Sequence, residues 1–224
     1  MRAPPIIAVV PVKDTRQAKQ RLAGVLSPAR RQELALATLQ DVLTTLAAAV
    51  ATAELGGILT VTADPAAAAL ATRYGADVSG ERAAEGHTGA VAAAARRLAA
   101  DGRDLLTLPA DIPLVEPADI RALIAARACR GFTIVPARDE RGSNAILCSP
   151  ADAVPLRFGA DSFFPHLAAA RACEIEPNVL RLPRIALDID TPDDLRLLLQ
   201  SPARTRAGAL LDRWRPHDRI KASA

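Results

Sequence analysis

A short apolar run, Leu105-Leu106-Thr107-Leu108, stops at Pro109, and a lone carboxylate, Asp111, stands before a second proline, Pro113. An apolar run of this length fits a strand buried on both faces of a parallel sheet. Proline has no N–H to give to a sheet ladder, so Pro109 ends the strand. Asp111 is then left at the carboxyl edge of the sheet, where open α/β sheets bind their ligands. The stretch by itself is equally compatible with Asp111 as a turn cap, so the rest of the chain has to decide.

The same pattern recurs. Ile6 to Val12 reads as a first buried strand, followed by a cationic loop from Lys13 to Gly24. Ser27-Pro28 opens a helix, with serine as cap and proline at the first helical position. Ala35, Leu39, Val42 and Leu46 give that helix one apolar face. Ile58 to Thr62 is a second strand, and Asp64-Pro65 starts a helix that Gly75 closes. Ala76 to Val78 reads as a short third strand, and Gly80 to Gly89 as a polar, glycine-rich loop. An alanine-rich helix follows, ending near Asp101-Gly102. After the Leu105 strand come a helix from Pro117 to Arg127, strands at Phe132 to Pro136 and Asn144 to Cys148, and a helix from Asp161 to Arg171. Ile185 to Leu187 is expected as a last short strand, and Thr191-Pro192 caps a helix running to Gln200. Alternating strands and helices predict a three-layer α/β fold on a mixed, mainly parallel sheet. Residues 1–200 form the expected domain. Residues 201–224 form an arginine-rich tail, expected as a solvated end with at most a short helix around Ala207 to Trp214.

Composition narrows the function classes. With 224 residues, half of them hydrophobic, the chain can build one sizeable core. Aromatic residues make up 3%, too few for a stacking platform, and no long basic block occurs, so nucleic acid is not an expected partner. A net charge of +3 suits small phosphorylated anions. Cys129, Cys148 and Cys173 are widely spaced and odd in number, which argues against a disulfide framework or zinc site and for a reducing, cytoplasmic setting. No uncharged apolar run reads as a membrane span.

Three groups of residues could carry chemistry. Lys13, Asp14, Arg16, Lys19 and Arg21 follow the first strand, where lysine point charges and arginine forks can hold a polyphosphate; a solvated surface loop is the plainer alternative. It is not a P-loop, since no Gly-x-x-x-x-Gly-Lys occurs. Asp111, Asp188 and Asp190 are the second group. The spacing of Asp188 and Asp190 puts both on one side of an extended segment with Ile189 facing the core. Carboxylates held together call for a cation, and Mg2+ takes one or two carboxylates beside phosphate oxygens. Helix capping is the alternative for Asp190 and Thr191. The third group, Phe158-Gly159-Ala160-Asp161-Ser162, combines a glycine that lets a ligand approach with a helix start that favours an anion, or is an ordinary cap. His87 lies where it could touch a ligand, His166 is expected to pack on its helix, and His217 belongs to the tail.

These pieces together resemble the 2-phospho-L-lactate guanylyltransferase family of deazaflavin coenzyme F(420) biosynthesis. The motifs are Val10-Pro11-Val12-Lys13, Ala18-Lys19-x-Arg21-Leu22, Leu108-Pro109-Ala110-Asp111-Ile112-Pro113, Gly142-Ser143-Asn144-Ala145, Phe158-Gly159-x-Asp161-Ser162 and Leu187-Asp188-Ile189-Asp190-Thr191-Pro192-x-Asp194-Leu195. The resemblance implies a nucleotide-diphospho-sugar transferase-like fold and transfer of GMP from GTP to a small phosphorylated carboxylic acid. The acceptor in such proteins is 2-phospho-L-lactate, phosphoenolpyruvate or 3-phospho-D-glycerate. It implies magnesium on Asp111, Asp188 and Asp190, and the acceptor on Asn144, Gly159 and Ser162. Lys13, Lys19 and Arg21 would face the triphosphate, with Lys19 and Asp111 at the chemistry and Gly86 and Thr88 near the nucleoside. Two positions depart from the pattern. Gly86-His87-Thr88-Gly89-Ala90 stands where relatives usually read Gly-Leu-Asn-Ala-Ala, and Asn144 where they often carry threonine. An amide offers more donors and acceptors than a hydroxyl, which points toward a more oxygenated acceptor such as 3-phospho-D-glycerate.

The rival readings share parts of this pattern. Molybdenum-cofactor and sugar-1-phosphate nucleotidyltransferases usually have a glycine-rich loop after the first strand, here Pro11-Val12-Lys13-Asp14. A glycosyltransferase would use an Asp-x-Asp pair on a nucleotide-sugar. A nucleotide-binding module without activity would not need the aspartate set. A homodimer is common for such folds, but no dimer surface can be read from the sequence.

Overall fold

The computed structural model describes residues 5–159 and 161–214. His217 lies outside them. The first half runs β1 (Ile6–Pro11), α1 (Pro28–Ala51), β2 (Gly57–Val61), α2 (Pro65–Arg73), β3 (Asp77–Ser79), α3 (Gly86–Ala100) and β4 (Asp104–Thr107). The second half runs α4 (Pro117–Ala125), β5 (Gly131–Pro136), β6 (Ser143–Ser149), α5 (Phe163–Ala172), β7 (Asn178–Val179), α6 (Pro183–Ala186), α7 (Pro192–Gln200) and α8 (Arg206–Trp214).

The strands form a seven-stranded sheet in the order β3-β2-β1-β4-β6-β5-β7. Only β6 runs against its neighbours, pairing antiparallel with β4 and β5; the other pairs are parallel. Strand alternation divides the core into two layers. Ile6, Ala8 and Val10 pack with Leu39, Leu43, Leu70 and Ile120 of α1, α2 and α4. Ile7 and Val9 point the other way, to Val91 and Leu98 of α3 and Phe163 and Ala170 of α5. That two-sided burial is why these strands read as continuous apolar runs. The chain reverses its direction of growth between β1 and β4, so the crevice outside their carboxyl ends is the switch point of the sheet.

Four segments differ from the sequence reading. Ile185 to Leu187 is not a strand. Pro183 starts the short helix α6, and Arg184 forks onto Asp119 at 2.8 and 2.9 Å. A proline at a first helical position is favoured, whereas it breaks a ladder. The edge strand instead lies upstream, at β7. The loop expected from Gly80 to Gly89 ends early, because α3 begins at Gly86 after a turn of 3-10 helix at Ala83–Glu85. Gly86 has φ 75° and ψ −167°, a backbone that side chains do not tolerate. Finally, residues 206–214 form the short helix expected there but are not a solvated end. Ala207 and Leu211 of α8 are buried in a third apolar cluster with Leu22, Leu34, Ile189, Leu195 and Leu198. The buried carboxylate of Asp41 on α1 accepts from the N–H groups of Arg206 and Ala207 at 2.9 and 3.0 Å, capping α8 across the chain.

By length and composition α1 could cross a bilayer, which the sequence reading did not anticipate. Here Leu34, Leu39, Val42, Leu43 and Leu46 on this helix are fully buried in the core.

Candidate active site

The loop after β1 is built from two turns of 3-10 helix, Thr15–Gln17 and Gln20–Leu22. It is pinned from below. Asp64 accepts from the N–H and hydroxyl of Thr15, both at 2.6 Å, and its other oxygen caps α2 through Ala66 and Ala67. Burial alone would raise the Asp64 pKa, but these hydrogen bonds outweigh it and hold the carboxyl below its ordinary value. Between the two turns Lys19 takes a left-handed backbone, φ 57° and ψ 39°. A non-glycine residue held there costs energy and marks a site that its surroundings over-determine.

The strained backbone aims the Lys19 side chain inward, where it is 5% exposed. Its Nζ lies 2.6 Å from Asp111 Oδ2 and 3.9 Å from Asp190 Oδ1. Arg21 reaches the other Asp190 oxygen at 3.2 Å. Asp111 and the 188–190 segment are stitched together by the Ile189 N–H, which donates to the Asp111 carbonyl at 2.9 Å. Ile189 is fully buried, and Asp188 and Asp190 flank it toward the site as their spacing predicts. Asp190 does not cap α7; Thr191 and Asp194 do, as a capping box. Burial, then the nearby Asp111 charge, pushes the Asp188 pKa up, with the Asn144 amide pulling against both. Among the described residues no group of three His, Cys, Asp or Glu side chains forms a ready-made metal cage.

Two cavities open on this edge. The first, about 480 Å3, is lined by Val12, Lys13, Thr15, Lys19, Val61 and Gly86. The second, about 750 Å3, is lined by Arg21, Arg138, Asn144, Gly159, Ser162 and Asp188. Lys13, His87, Pro109, Asp111 and Asp190 line both, so the cavities meet along the line from β1 to β4. Arg16 lines neither, being paired with Asp14 at the surface.

The second cavity draws on β6, whose reversed direction brings its first residues to this edge. Asn144 Nδ2 donates to the carbonyls of Ile185 and Ala186 at 3.0 and 3.2 Å and to Asp188 Oδ1 at 3.0 Å. Three acceptors around one amide nitrogen fix its orientation. A side chain added at Gly159 would meet nothing within 4 Å, so packing does not require glycine there.

Residues at the start of α3 close the gap between the cavities. His87 stacks on Phe158, with centroids 4.1 Å apart. Its Nε2 is buried without a hydrogen-bond partner. Desolvation lowers its pKa to about 4 against the pull of Asp111. Thr88 lines only the second cavity, and its hydroxyl exchanges hydrogen bonds with the Phe158 backbone at 2.9 and 3.2 Å. Arg138 and Arg141, which the sequence reading did not single out, also line the second cavity. Their place beside the Gly142-Ser143-Asn144 motif was the available signal.

A family model described as guanylyl transferase CofC like matches residues 6–214. A phosphoenolpyruvate guanylyltransferase of Roseiflexus castenholzii is 38% identical, covering 92% of this chain and 93% of its own. A 3-phospho-D-glycerate guanylyltransferase of Colwellia psychrerythraea is 39% identical, covering 87% of this chain and 92% of its own. Among solved structures, a protein from Desulfovibrio desulfuricans G20 described as a nucleotide-diphospho-sugar transferase superposes with a TM-score of 0.73 at 21% identity, covering 98% of this chain and 97% of its own. The fold is thus of the nucleotide-diphospho-sugar transferase type, as the motifs led us to expect. With a family model spanning nearly all described residues and relatives this similar over most of their length, the chain belongs to the CofC-like guanylyl transferase family.

Proposed function

We propose that this protein transfers GMP from GTP to a small phosphorylated carboxylic acid and releases pyrophosphate, with the nucleotide in the first cavity and the acid in the second. The observation that carries the reading is the junction. Two cavities of different character share Lys13, His87, Pro109, Asp111 and Asp190, so a donor and an acceptor bound in them would meet there.

The reaction is an in-line displacement. A phosphate oxygen of the acid attacks the α-phosphorus of GTP, the new P–O bond forms as the bond to pyrophosphate breaks, and the leaving group carries off the electron pair. The attacking oxygen is anionic near neutral pH, so no general base is required. Charge neutralisation and alignment are what the reaction needs. Lys19 is already drawn to Asp111 and Asp190, and Lys13, which lines both cavities, joins it to face the phosphate chain; Arg21, expected there too, lines only the second cavity and reaches the junction through Asp190. Gly86 brings the start of α3 close to the nucleotide. Asn144, Gly159 and Ser162 hold the acid, with Arg138 and Arg141 adding positive charge at its rim.

The donor set fits magnesium arriving with the triphosphate, since that ion needs only one or two carboxylates beside phosphate oxygens and water. Asp111, Asp188 and Asp190 would hold it, and burial of Asp188 beside the Asp111 charge, which raises its pKa, is a situation that a cation relieves. When bound, it supplies charge stabilisation to the phosphates.

Asn144 favours one acceptor. Its nitrogen is committed to protein acceptors, which leaves Oδ1 as the group it can offer to the cavity it lines. A free acceptor suits an acid with a hydroxyl to donate. 3-Phospho-D-glycerate has one and phosphoenolpyruvate does not. Pyrophosphate release from GTP and magnesium, measured in parallel with 2-phospho-L-lactate, phosphoenolpyruvate and 3-phospho-D-glycerate and with ATP as control, tests both statements. Release is expected with GTP, fastest with 3-phospho-D-glycerate. Faster release with phosphoenolpyruvate would overturn the acceptor choice, and no release with any acid would overturn the function.

A further inference from the structure

A buried chain of polar groups stands behind the second cavity. The Arg157 backbone N–H donates to His166 Nε2 at 3.0 Å. His166 Nδ1 lies 2.9 Å from Ser143 Oγ, and Ser143 Oγ lies 3.2 Å from Ser162 Oγ. His166 is 1% exposed, packed between Phe158 and Phe132. Ser143 and Ser162 are buried too, yet both line the cavity beside Asn144 and Gly159.

The protons in this chain can be counted. A backbone N–H can only donate, so Nε2 of His166 must be the lone-pair nitrogen. Desolvation lowers the ring's pKa to about 4, which keeps it neutral. The single ring proton is therefore on Nδ1, and it points at Ser143 Oγ. Ser143 and Ser162 bring two hydroxyl protons but share only one oxygen–oxygen contact. Neither hydroxyl has another hydrogen bond among the described residues. One hydroxyl proton is left over, whichever serine carries it.

We propose that Ser143 and His166 are positioning residues of the acceptor subsite. His166, set as the Nδ1–H tautomer by the Arg157 amide, saturates Ser143 from behind, so that the serine pair must present a donor to the cavity. The group it receives is an anionic oxygen of the acid, carboxylate or phosphate. Neither residue was expected to take part: His166 read as a packing residue of its helix, and Ser143 only as a neighbour of Asn144.

This rests on the acid binding in the second cavity, so the wild-type reaction is the first arm of the test. If the wild type releases pyrophosphate with no acid, it is the proposed function that fails. Given turnover, the double variant Ser143→Ala/Ser162→Ala should raise KM for the acid about tenfold, equivalent to about 1.4 kcal/mol, and by more than Ser162→Ala alone, because either serine can carry the spare proton; KM for GTP should stay within about twofold. His166→Phe, which leaves Ser143 unsaturated, should also raise the acid KM, and His166→Asn, which returns a donor near the Nδ1 position, should recover part of the loss. No difference between the double variant and Ser162→Ala, or equal rises for acid and GTP, overturns the inference. The serine variants decide alone if a His166 variant does not fold.

Discussion

The parallel half of the sheet and its antiparallel half contribute to the site by different physical routes. On the parallel side, β1 and β4 end at the edge, and the chain leaves them in loops that carry charge: Lys13, Lys19 and Arg21 after β1, Asp111 after β4. On the antiparallel side β6 begins at the edge, so its side chains Ser143 and Asn144 come from inside a strand. The first route gives ions, from the buried Lys19 to the exposed Arg21, that pair with one another. The second gives buried neutral groups locked in hydrogen bonds. On the proposed reading, the first side would grip the nucleotide's phosphates and the second would select the acid.

The contrast can be broken at the junction, where the largest effect is expected. Asp111→Asn should lower turnover by about two orders of magnitude or more, while unfolding by denaturant shifts by no more than about 1 kcal/mol, since the side chain is partly exposed and its partner Lys19 also faces Asp190. A large loss of stability with catalysis spared would make Asp111 a structural cap.

A smaller effect separates the two halves. Asp64 lines neither cavity but pins the cationic loop. Asp64→Ala should cost about 2 kcal/mol of stability through the lost cap and the two Thr15 bonds. It should raise KM for GTP about tenfold and leave KM for the acid alone. If steady-state kinetics instead showed the acid KM moving, the division of the site between the halves would be wrong.

The smallest effect on stability at neutral pH belongs to the titration of His166. Its folded pKa is depressed by burial to about 4, below an unfolded value near 6.5. The unfolded chain binds more protons between these values, so stability is complete above pH 6.5 and declines as pH falls toward 4, by on the order of 3 kcal/mol from this group. His166→Asn should flatten that part of the stability profile in denaturant titrations between pH 7 and 4. An unchanged slope would mean that the ring already takes up a proton in the folded state.

This contrast also explains what could be read in advance. Pro109 and Asp111 announced the end of β4 because proline and a lone carboxylate contradict an apolar run. Asp188 and Asp190 were legible for the same reason, with Ile189 between them. The roles of Ser143 and His166 were not, since a serine opening an apolar strand and a histidine on a helix look alike in sequence whether they serve a site or fill a core. Only the Arg157 amide, brought beside His166 by the fold, assigns its proton. Ile185 to Leu187 misled because three apolar residues carry no period, and the Arg184–Asp119 pair that decides their shape joins positions far apart in the chain. The apolar face of α8 was hidden by its arginines.

That last helix has a consequence for the order in which the molecule is made. Leu22, which ends the cationic loop, is buried against Leu195, Leu198, Ala207 and Leu211, and Asp41 finds its amide donors only at Arg206 and Ala207. During synthesis the central strands can pair once β4 has emerged, yet the floor beneath Lys19 and Arg21 is missing until the chain has been made through α8. Four of the seven strands can therefore pair before the last helices exist, whereas the loop that carries Lys19 and Arg21 gains its floor only with α8.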